Sequence, residues 1–446
     1  MAEVPVIQVL DKENYFTQAL VPLPDALPLP PLTADSSLRI RTEVLSLTLN
    51  NFTYARLGSL LGWWDVHPLP PSAPAPYSDA ARYGRTNCWG YASVLESTFA
   101  GAPAGSYVWG YLPIGTLPQD VEVEPAGPVD EVPGQITVTS AHRAHVMPVY
   151  NRYFVYPPAL GADVAARADA VARDAVLRVM HLTGYLLARY AFAPDPAGAV
   201  YPGFGADPSP DLDLWGPGES DLGGGCTVVV FAPGSKAALS FAYLLRLRGA
   251  EDGEAGGEGA ARPRRVIGVA SRHSVDFVRR TGVYDEVVCS ADADAGAADV
   301  LARSGAGDTD KIAVFEFGGR DGAAARWALA LQERYARVQF VGVGSELPSE
   351  EEEGRGGEAR GRPPPTHVGR ARLVRANTDD MRRRAIEKVG EGEFYRGLES
   401  SWRELRGKGF EGFRVVWGEG MEDVRRGWER LGRGEVGPDE GLVFKV

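Results

Sequence analysis

Alternation of apolar and polar residues marks the first third of the chain. The stretch LRIRTEVLSLTL at 38–49 alternates in this way, which predicts a strand with one buried face. Shorter runs of the same kind, separated by turns, continue to about residue 155. Residues 1–40 are rich in proline, which lacks a backbone donor, so they predict an edge strand or an extended arm. This part of the chain predicts an irregular β-rich domain.

The pattern changes to helical spacing near residue 160. The alanine-rich segment 163–192 predicts one long helix or two abutting helices. A loop rich in proline, glycine and aspartate follows at 194–224. Helical patterns return at 377–405 and 420–432, and GLVFKV at the end of the chain predicts a final strand.

Between these helical regions, apolar segments alternate with segments of helical spacing. The predicted strands are 227–232, 265–271, 286–290, 311–317 and 338–343, and the predicted helices are 235–247, 274–281, 296–304 and 321–336. Near-continuous apolar strands joined by helices are typical of a parallel sheet that helices cover on both faces. The sequence therefore predicts an α/β protein with a doubly wound parallel sheet.

Two low-complexity inserts interrupt this alternation, at 249–265 and 344–365. Neither has enough apolar residues to pack against a core, so both are predicted to be mobile surface loops. The acidic run in the second insert is interpreted as a solvated segment.

Composition narrows the class of protein. The 446 residues, 44% of them hydrophobic, predict two globular domains. A formal net charge of −12 argues against nucleic acid or an anionic membrane as a partner. The three cysteines are far apart and form no CxxC pair, and no targeting or membrane-spanning segment is evident, so we expect a cytoplasmic protein.

The turn after the strand at 227–232 has the features of a phosphate-binding turn. Gly234 permits a sharp bend, and Ser235 can cap the next helix and donate its hydroxyl to a phosphate. The turn begins at Ala232, Lys236 adds positive charge, and the small Ala237 and Ala238 let the helix pack against the strand. The alternative is a strand, turn and helix that bind no ligand.

The end of the next predicted strand favours one dinucleotide over another. NAD-binding sheets usually carry a carboxylate there, which accepts hydrogen bonds from the ribose hydroxyls. This chain has Ser271 and Arg272 instead, which would hold a 2′-phosphate and so favour NADPH. Alternatively, Arg272 is only a surface charge.

The carboxyl ends of later strands would place Gly318 and Val343 against the nicotinamide half of the dinucleotide, and Thr183 is expected near the nicotinamide ribose.

Several stretches, in this order, resemble landmarks of the medium-chain dehydrogenase/reductase superfamily. They are LTLNNFTYARLG, CWGYASVLES, GSYVWGYLPIG, HLTGYLLARY and the closing GLVFKV. The resemblance implies a GroES-like catalytic domain, formed by 1–155 with 366–446, and a Rossmann nucleotide-binding domain at 156–365. More closely, LNNFTYARLG with WW, CWGYASV, PVYNRY and GSKAAL are similar to a distant branch described only as a domain of unknown function.

Departures from the superfamily pattern point to its zinc-free reductases. Asn51 and Tyr54 fall at the places of a cysteine ligand and an aspartate, and Trp89 and Gly90 fall where a histidine and a glutamate would lie. These side chains cannot form a tetrahedral zinc site, so no metal is expected.

The resemblance implies hydride transfer from NADPH to a carbonyl or an enone-type double bond of a small molecule. Tyr54, with Asn51 beside it, is the first choice to stabilise the developing negative charge, and Tyr150 and Asn151 are second choices. The structural alternative is that a buried tyrosine only satisfies its hydroxyl and an asparagine only fixes a turn.

Two rival functions remain open. A methyltransferase that uses S-adenosylmethionine also has an alternating sheet, although Ser271 and Arg272 argue against it. A non-catalytic scaffold with a reductase-like fold, which binds a nucleotide or a partner protein, is the second. The resemblance also implies a homodimer formed through sheet edges, which the insert at 344–365 would oppose.

Overall fold

The structure is a computed structural model that describes residues 3–128, 132–204, 215–248, 262–293, 296–319, 322–344 and 366–446. The two predicted mobile loops, at 249–265 and 344–365, lie largely outside the described residues.

The first part of the chain is rich in strands. Its elements are β1 (Val6–Asp11), β2 (Gln18–Pro22), β3 (Ser37–Leu47), α1 (Leu49–Arg56), α2 (Gly58–Leu61), β4 (Tyr83–Gly84), β5 (Asn87–Ser97), β6 (Tyr107–Pro113), β7 (Gln119–Pro125), β8 (Gln135–Val138) and β9 (Arg152–Tyr156). The proline-rich start supplies β1 and β2, which pair with each other and with β4 in a small separate sheet, as an edge segment would.

The second part alternates helices and strands. Its elements are α3 (Leu160–Ala165), α4 (Asp169–Leu186), α5 (Pro217–Ser220), β10 (Cys226–Phe231), α6 (Lys236–Leu247), β11 (Arg265–Ala270), α7 (Val275–Thr281), β12 (Glu286–Cys289), α8 (Ser290–Ala293), α9 (Ala297–Arg303), β13 (Lys311–Glu316), α10 (Ala323–Arg334), β14 (Arg337–Gly342), β15 (His367–Val368) and β16 (Ala371–Arg375). The chain closes with α11 (Thr378–Val389), α12 (Glu391–Lys408), β17 (Arg414–Glu419), α13 (Gly420–Gly432) and β18 (Glu440–Lys445).

The parallel sheet has the doubly wound strand order. Within the described residues its order is β12-β11-β10-β13-β14-β16-β15, and every neighbouring pair is parallel except β15 with β16. The order reverses between β10 and β13, and a crevice at such a reversal, at the carboxyl ends of the strands, is where this architecture binds ligands. The predicted doubly wound sheet is confirmed.

A barrel forms the other domain. In the described chain its strands run β17-β18-β3-β5-β6-β9-β8-β7, and β7 also pairs with β3, which closes six of them on themselves. β18 pairs with the second half of β3, so the last strand of the chain completes the first domain.

The sheets divide the chain differently from the prediction at one point. Residues 366–446 were assigned to the barrel domain, but β16 pairs with β14 in the parallel sheet. Only β17 and β18 of this segment join the barrel sheet. Helix α4 lies between the two sheets: Ser46 in the barrel donates its hydroxyl to the backbone of Ala175 at 2.6 Å, and His181 Nδ1 lies 2.8 Å from Ser240 Oγ on α6.

Candidate functional site

Tyr54 lies in a buried aromatic cluster of the barrel domain. Its ring is on α1, only 4% of the residue is exposed, and its hydroxyl accepts a hydrogen bond from Trp89 Nε1 at 3.0 Å. The hydroxyl also interacts with the side chains of Asn50 and Tyr150. Burial raises the pKa of Tyr54 to about 12, so the phenol stays protonated at neutral pH and can act as a hydrogen-bond donor.

Trp89 and Tyr54 contact each other, and both fall at positions that belong to the metal site in zinc-binding members of the superfamily. Trp89 falls at the place of the histidine ligand and Tyr54 at the place of the aspartate. Here an indole donates to a phenol at 3.0 Å. Across the ranges that the structure describes, no group of three or more histidine, cysteine, aspartate or glutamate side chains could hold a metal ion.

Asn51 has the contacts of a structural residue. Its Oδ1 accepts from the backbone N–H of Thr48 at 2.6 Å, which caps the start of α1. Its Nδ2 donates to the carbonyl of Asn87 on β5 at 2.7 Å. Both ends of the amide are thus engaged with backbone, and the predicted catalytic role of Asn51 stays a prediction without a contact that supports it.

The neighbouring Asn50 is a residue that the sequence interpretation missed. It lies four positions before Tyr54 on α1, a spacing that brings two side chains together on one helix face. Its Nδ2 lies 3.6 Å from the sulfur of Met180 on α4, so it links Tyr54 to the helix between the domains. Asn51 has an equally suitable helical spacing to Tyr54, so the sequence held no signal that singled out Asn50.

Tyr150 belongs to the same cluster, whereas Asn151 does not. The Tyr150 ring lies 5.9 Å from the Tyr54 ring and 4.6 Å from the Tyr111 ring, centroid to centroid. Next to it, the backbone N–H of Val149 donates to Asp379 Oδ1 on α11 at 3.1 Å. Asn151 instead pairs with Arg143 through both ends of its amide, so its contacts are structural.

Thr183 lies where α4 meets α11. Its Oγ1 is 3.4 Å from Thr378 Oγ1, at the first residue of α11, and it is one turn beyond Met180. Tyr54, Asn50, Tyr150, Thr183 and Thr378 thus surround the meeting point of the barrel with α4 and α11, and we call these five residues the junction cluster.

The turn between β10 and α6 leads directly into a capped helix, although most glycines of a dinucleotide-binding turn are missing. Ala232 has φ of +51°, the left-handed conformation that glycine usually provides. Ser235 caps α6 and accepts from the backbone N–H of Ala238 at 3.4 Å. A Cβ atom at Gly234 would lie 3.3 Å from the side chain of Val278 on α7, which is a tight contact. Ala237 packs against the core.

Lys236 does not have the contacts that were predicted for it. Its ammonium lies 3.5 Å from the carbonyl of Glu440 and 5.7 Å from the ring centroid of Phe413. It therefore faces the returning C-terminal segment of the barrel domain, and nothing in these contacts supports a role at the phosphate turn. Burial lowers the pKa of Lys236 to about 8.

Ser271 and Arg272 lie beside this turn, as predicted. Phe231 on β10 pairs with Val269 on β11, so both strands end at the same edge of the sheet. Ser271 and Arg272 are exposed there, and Ser271 Oγ lies 3.1 Å from Ser274 Oγ at the start of α7. The edge thus offers a hydroxyl and a guanidinium, and no carboxylate immediately follows β11.

The loops after β13 and β14 are joined at the same edge. The backbone N–H of Val343 donates to the carbonyl of Glu316 at 2.8 Å. Gly318 has φ of +134°, which a side chain would strain. Their predicted contact with a nicotinamide ring stays a prediction.

One protein family matches the chain over residues 45–437, and its description is "Protein of unknown function (DUF2855)". The chain belongs to this family. The comparison of this DUF2855 chain with curated proteins found no match.

Solved structures with the same fold are reductases. A mutant enoyl thioester reductase from Candida tropicalis covers 100% of both chains with a TM-score of 0.52 at 10% identity. An Etr1p mutant in complex with NADP and crotonyl-CoA gives 0.52 at 9% identity, again over 100% of both chains. A probable oxidoreductase from Mycobacterium abscessus gives 0.50 at 13% identity over 99% of both chains. At these identities the similarity shows the fold, so the predicted GroES-like and Rossmann architecture of the medium-chain reductases is confirmed for this DUF2855 chain.

None of the helices that the structure describes combines the length and the apolar character needed to cross a bilayer.

Proposed function

We propose that this protein is an NADPH-dependent oxidoreductase that transfers hydride to a carbonyl or an enone-type double bond of a small organic molecule. The observation that carries the proposal is the edge where β10 and β11 end. A left-handed turn, a capped helix, a serine and an arginine lie together there, in a sheet with the doubly wound order. The structure with NADP and crotonyl-CoA shows that the fold accommodates this pair of ligands in another protein.

The residues of the turn fit the group that they would hold. Backbone N–H groups at the start of α6 and the Ser235 hydroxyl would bind the pyrophosphate. Ser271 and Arg272 would bind the 2′-phosphate, because a serine hydroxyl and a guanidinium both donate to phosphate oxygens. Gly318, Val343 and Thr183 would border the nicotinamide half. Ala232, Gly234 and Ala237 would give the backbone its close approach.

NADPH, when bound, supplies the hydride, and the chain supplies position and a hydrogen bond. Tyr54 is the proposed donor to the substrate oxygen, because its phenol keeps its proton over the physiological pH range. Trp89 and Tyr150 hold the phenol in place from two sides. Asn50 would connect this donor to α4, next to Thr183.

Titration of the protein with NADPH and with NADH tests the cofactor. The fluorescence of the nicotinamide and of the nine tryptophans reports binding. We expect saturable binding of NADPH at least ten times tighter than that of NADH. Arg272→Glu should weaken NADPH binding about ten- to a hundredfold, because a charge-assisted contact to phosphate is lost and a repulsive one is added.

Arg41→Glu is the matched control, since Arg41 is exposed on β3 of the barrel domain, away from the nucleotide edge. It should leave both affinities unchanged. Equal affinity of the wild-type protein for the two dinucleotides would overturn the assignment of NADPH. Absence of binding by both would favour the non-catalytic scaffold.

A further inference from the structure

A second feature of the barrel domain is a buried arginine, two of whose three side-chain nitrogens have no hydrogen-bond partner among the described residues. Arg85 is only 3% exposed. Its Nη1 makes one long contact of 3.5 Å to the carbonyl of Pro68. Its Nε and Nη2 have no hydrogen-bond partner among the residues that the structure describes. Buried polar groups in proteins are almost always satisfied, so these two donors need an explanation.

Among the residues that the structure describes, no carboxylate forms an ion pair with Arg85. Burial lowers its pKa to about 10, so the guanidinium is still protonated at neutral pH. In the described part of the chain, the thiol of Cys88 is the one ionisable group that acts on this pKa. Burial raises the pKa of Cys88 far above its ordinary value, so that thiol is neutral. A buried charge without a partner is costly, which favours a missing anion.

Other buried side chains in this region also have a polar atom without a partner among the described residues, and His67 and Gln119 are two of them. His67 Nδ1 lies 2.9 Å from Gln119 Oε1, and His67 is 2% exposed. Burial, together with the charges of Arg143 and Arg85, lowers the pKa of His67 well below its ordinary value, so its ring is neutral. Gln119 Nε2 and His67 Nε2 then remain without partners within the described ranges. The first is a further donor for an anion.

Arg143 is a buried arginine of the same domain whose guanidinium forms hydrogen bonds within the protein through all three nitrogens. Its Nε donates to Asn151 Oδ1 at 2.9 Å, and its Nη1 donates to Tyr153 OH at 3.0 Å. Its Nη2 donates to the carbonyl of Tyr150 at 2.7 Å. Every nitrogen of Arg143 is used, whereas Arg152 on β9 leaves one nitrogen and Arg85 leaves two without a partner among the described residues.

We propose that Arg85 and Gln119 form an anion site in the barrel domain that binds a small organic carboxylate. Nε and Nη2 lie on one edge of a guanidinium and present two parallel N–H groups, which match the two oxygens of a carboxylate. A short path of contacts links the site to the junction cluster. Asn87, two residues after Arg85, donates to the carbonyl of Trp63, whose ring packs on Tyr54 at 4.9 Å. The site does not depend on the proposed cofactor.

Thermal unfolding of the full chain without dinucleotide, in acetate, phosphate or chloride of equal ionic strength, tests the site. We expect 20 mM acetate to raise the Tm of the wild-type protein by about 2 °C or more over chloride, because the ligand binds only the folded state. Arg85→Met should remove this rise, and without added carboxylate it should unfold no earlier than the wild type. Arg41→Met, an exposed control, should keep the rise.

Arg85→Lys keeps the charge but loses the paired N–H groups, and it should also lose the response to acetate. It serves as the second variant if Arg85→Met does not fold. An equal rise in the wild type and in both Arg85 variants would overturn the proposal, as would no rise in any of them. Stabilisation by phosphate but not by acetate would overturn the proposal that the ligand is a carboxylate. NADPH affinity should be the same in Arg85→Lys and in the wild type, which separates this test from that of the cofactor.

Discussion

At the scale of single residues, the phenol of Tyr54 shows how burial sets a chemical role. Its pKa rises to about 12 from an ordinary value near 10, because the anion would lose its hydration. The folded protein therefore holds this proton more tightly than the unfolded chain does. Its contribution to stability is complete below pH 10 and falls as the pH rises from 10 towards 12.

A double-mutant cycle measures the contact between Tyr54 and Trp89. Tyr54→Phe should destabilise the protein by about 1–3 kcal/mol, because the buried indole N–H loses its acceptor. Trp89→Phe should cost about as much or more, and the double variant should cost about 1 kcal/mol less than the sum. Urea unfolding gives all four free energies. Strict additivity would show that the two side chains do not interact.

The sequence led to Tyr54 because it occupied an expected place in a known order of motifs. It could not distinguish Asn50 from Asn51, since both lie within a turn of Tyr54 on one helix. The choice depends on where α4 and β5 lie, and no local pattern contains that information. The position of Lys236 also depends on distant elements. Its charge suggested a contact with phosphate, but its ammonium approaches a backbone carbonyl of the returning strand β18.

At the scale of elements, the turn between β10 and α6 keeps its shape at a cost. Ala232 is one of three described non-glycine residues with a positive φ. A left-handed alanine costs about 1–2 kcal/mol, and the surrounding strand and helix must hold it there. The strain lies at the turn that we propose to hold the pyrophosphate.

Ala232→Gly should relieve this strain and stabilise the protein by up to about 1 kcal/mol, because glycine adopts the left-handed region freely but loses more entropy on folding. Ala232→Val should destabilise it by about 2 kcal/mol or more, since a branched side chain fits that region poorly. Chemical denaturation compares the three proteins. A destabilised glycine variant would contradict a strained turn.

The alternation of apolar segments with helical segments predicted the five strands β10 to β14 to within about a residue. These strands were recognisable because buried parallel strands are continuous apolar runs. The predicted strand at 311–317 is β13 (Lys311–Glu316), and the predicted helix at 420–432 is α13. β16 and β17 were missed. Each of these two strands carries an arginine at one end and is only partly buried. Neither therefore stands out from the charged helical segments around it as a continuous apolar run.

At the scale of the whole molecule, one buried carboxylate joins the two domains. Asp174 on α4 is 2% exposed. It accepts from Tyr91 OH on β5 at 2.7 Å, and from Trp402 Nε1 and Arg406 Nη1 on α12 at 2.6 and 3.0 Å. Elements that are far apart in sequence thus meet on a single side chain.

Asp174→Asn should destabilise the protein by about 3 kcal/mol, because it leaves Arg406 without its charge partner and turns an amide N–H towards other donors. Asp169→Asn on the same helix is the control, since its carboxylate is 81% exposed and its pair with Arg173 is 3.9 Å long. It should change stability by less than about 0.5 kcal/mol. Urea unfolding, followed by circular dichroism, gives the free energy of unfolding of each variant. Similar losses of stability in both variants would refute a special role of Asp174.

The pairing of β18 with β3 has a consequence for synthesis on the ribosome. The half of β3 that leads into α1 pairs with β5 along one edge, and its other edge receives β18 only when residues 442–445 have emerged. Until then that half of the strand has an open edge, in a nascent chain that already contains the nucleotide sheet. The segment that carries Tyr54 therefore gains this support only after the nucleotide sheet has been made.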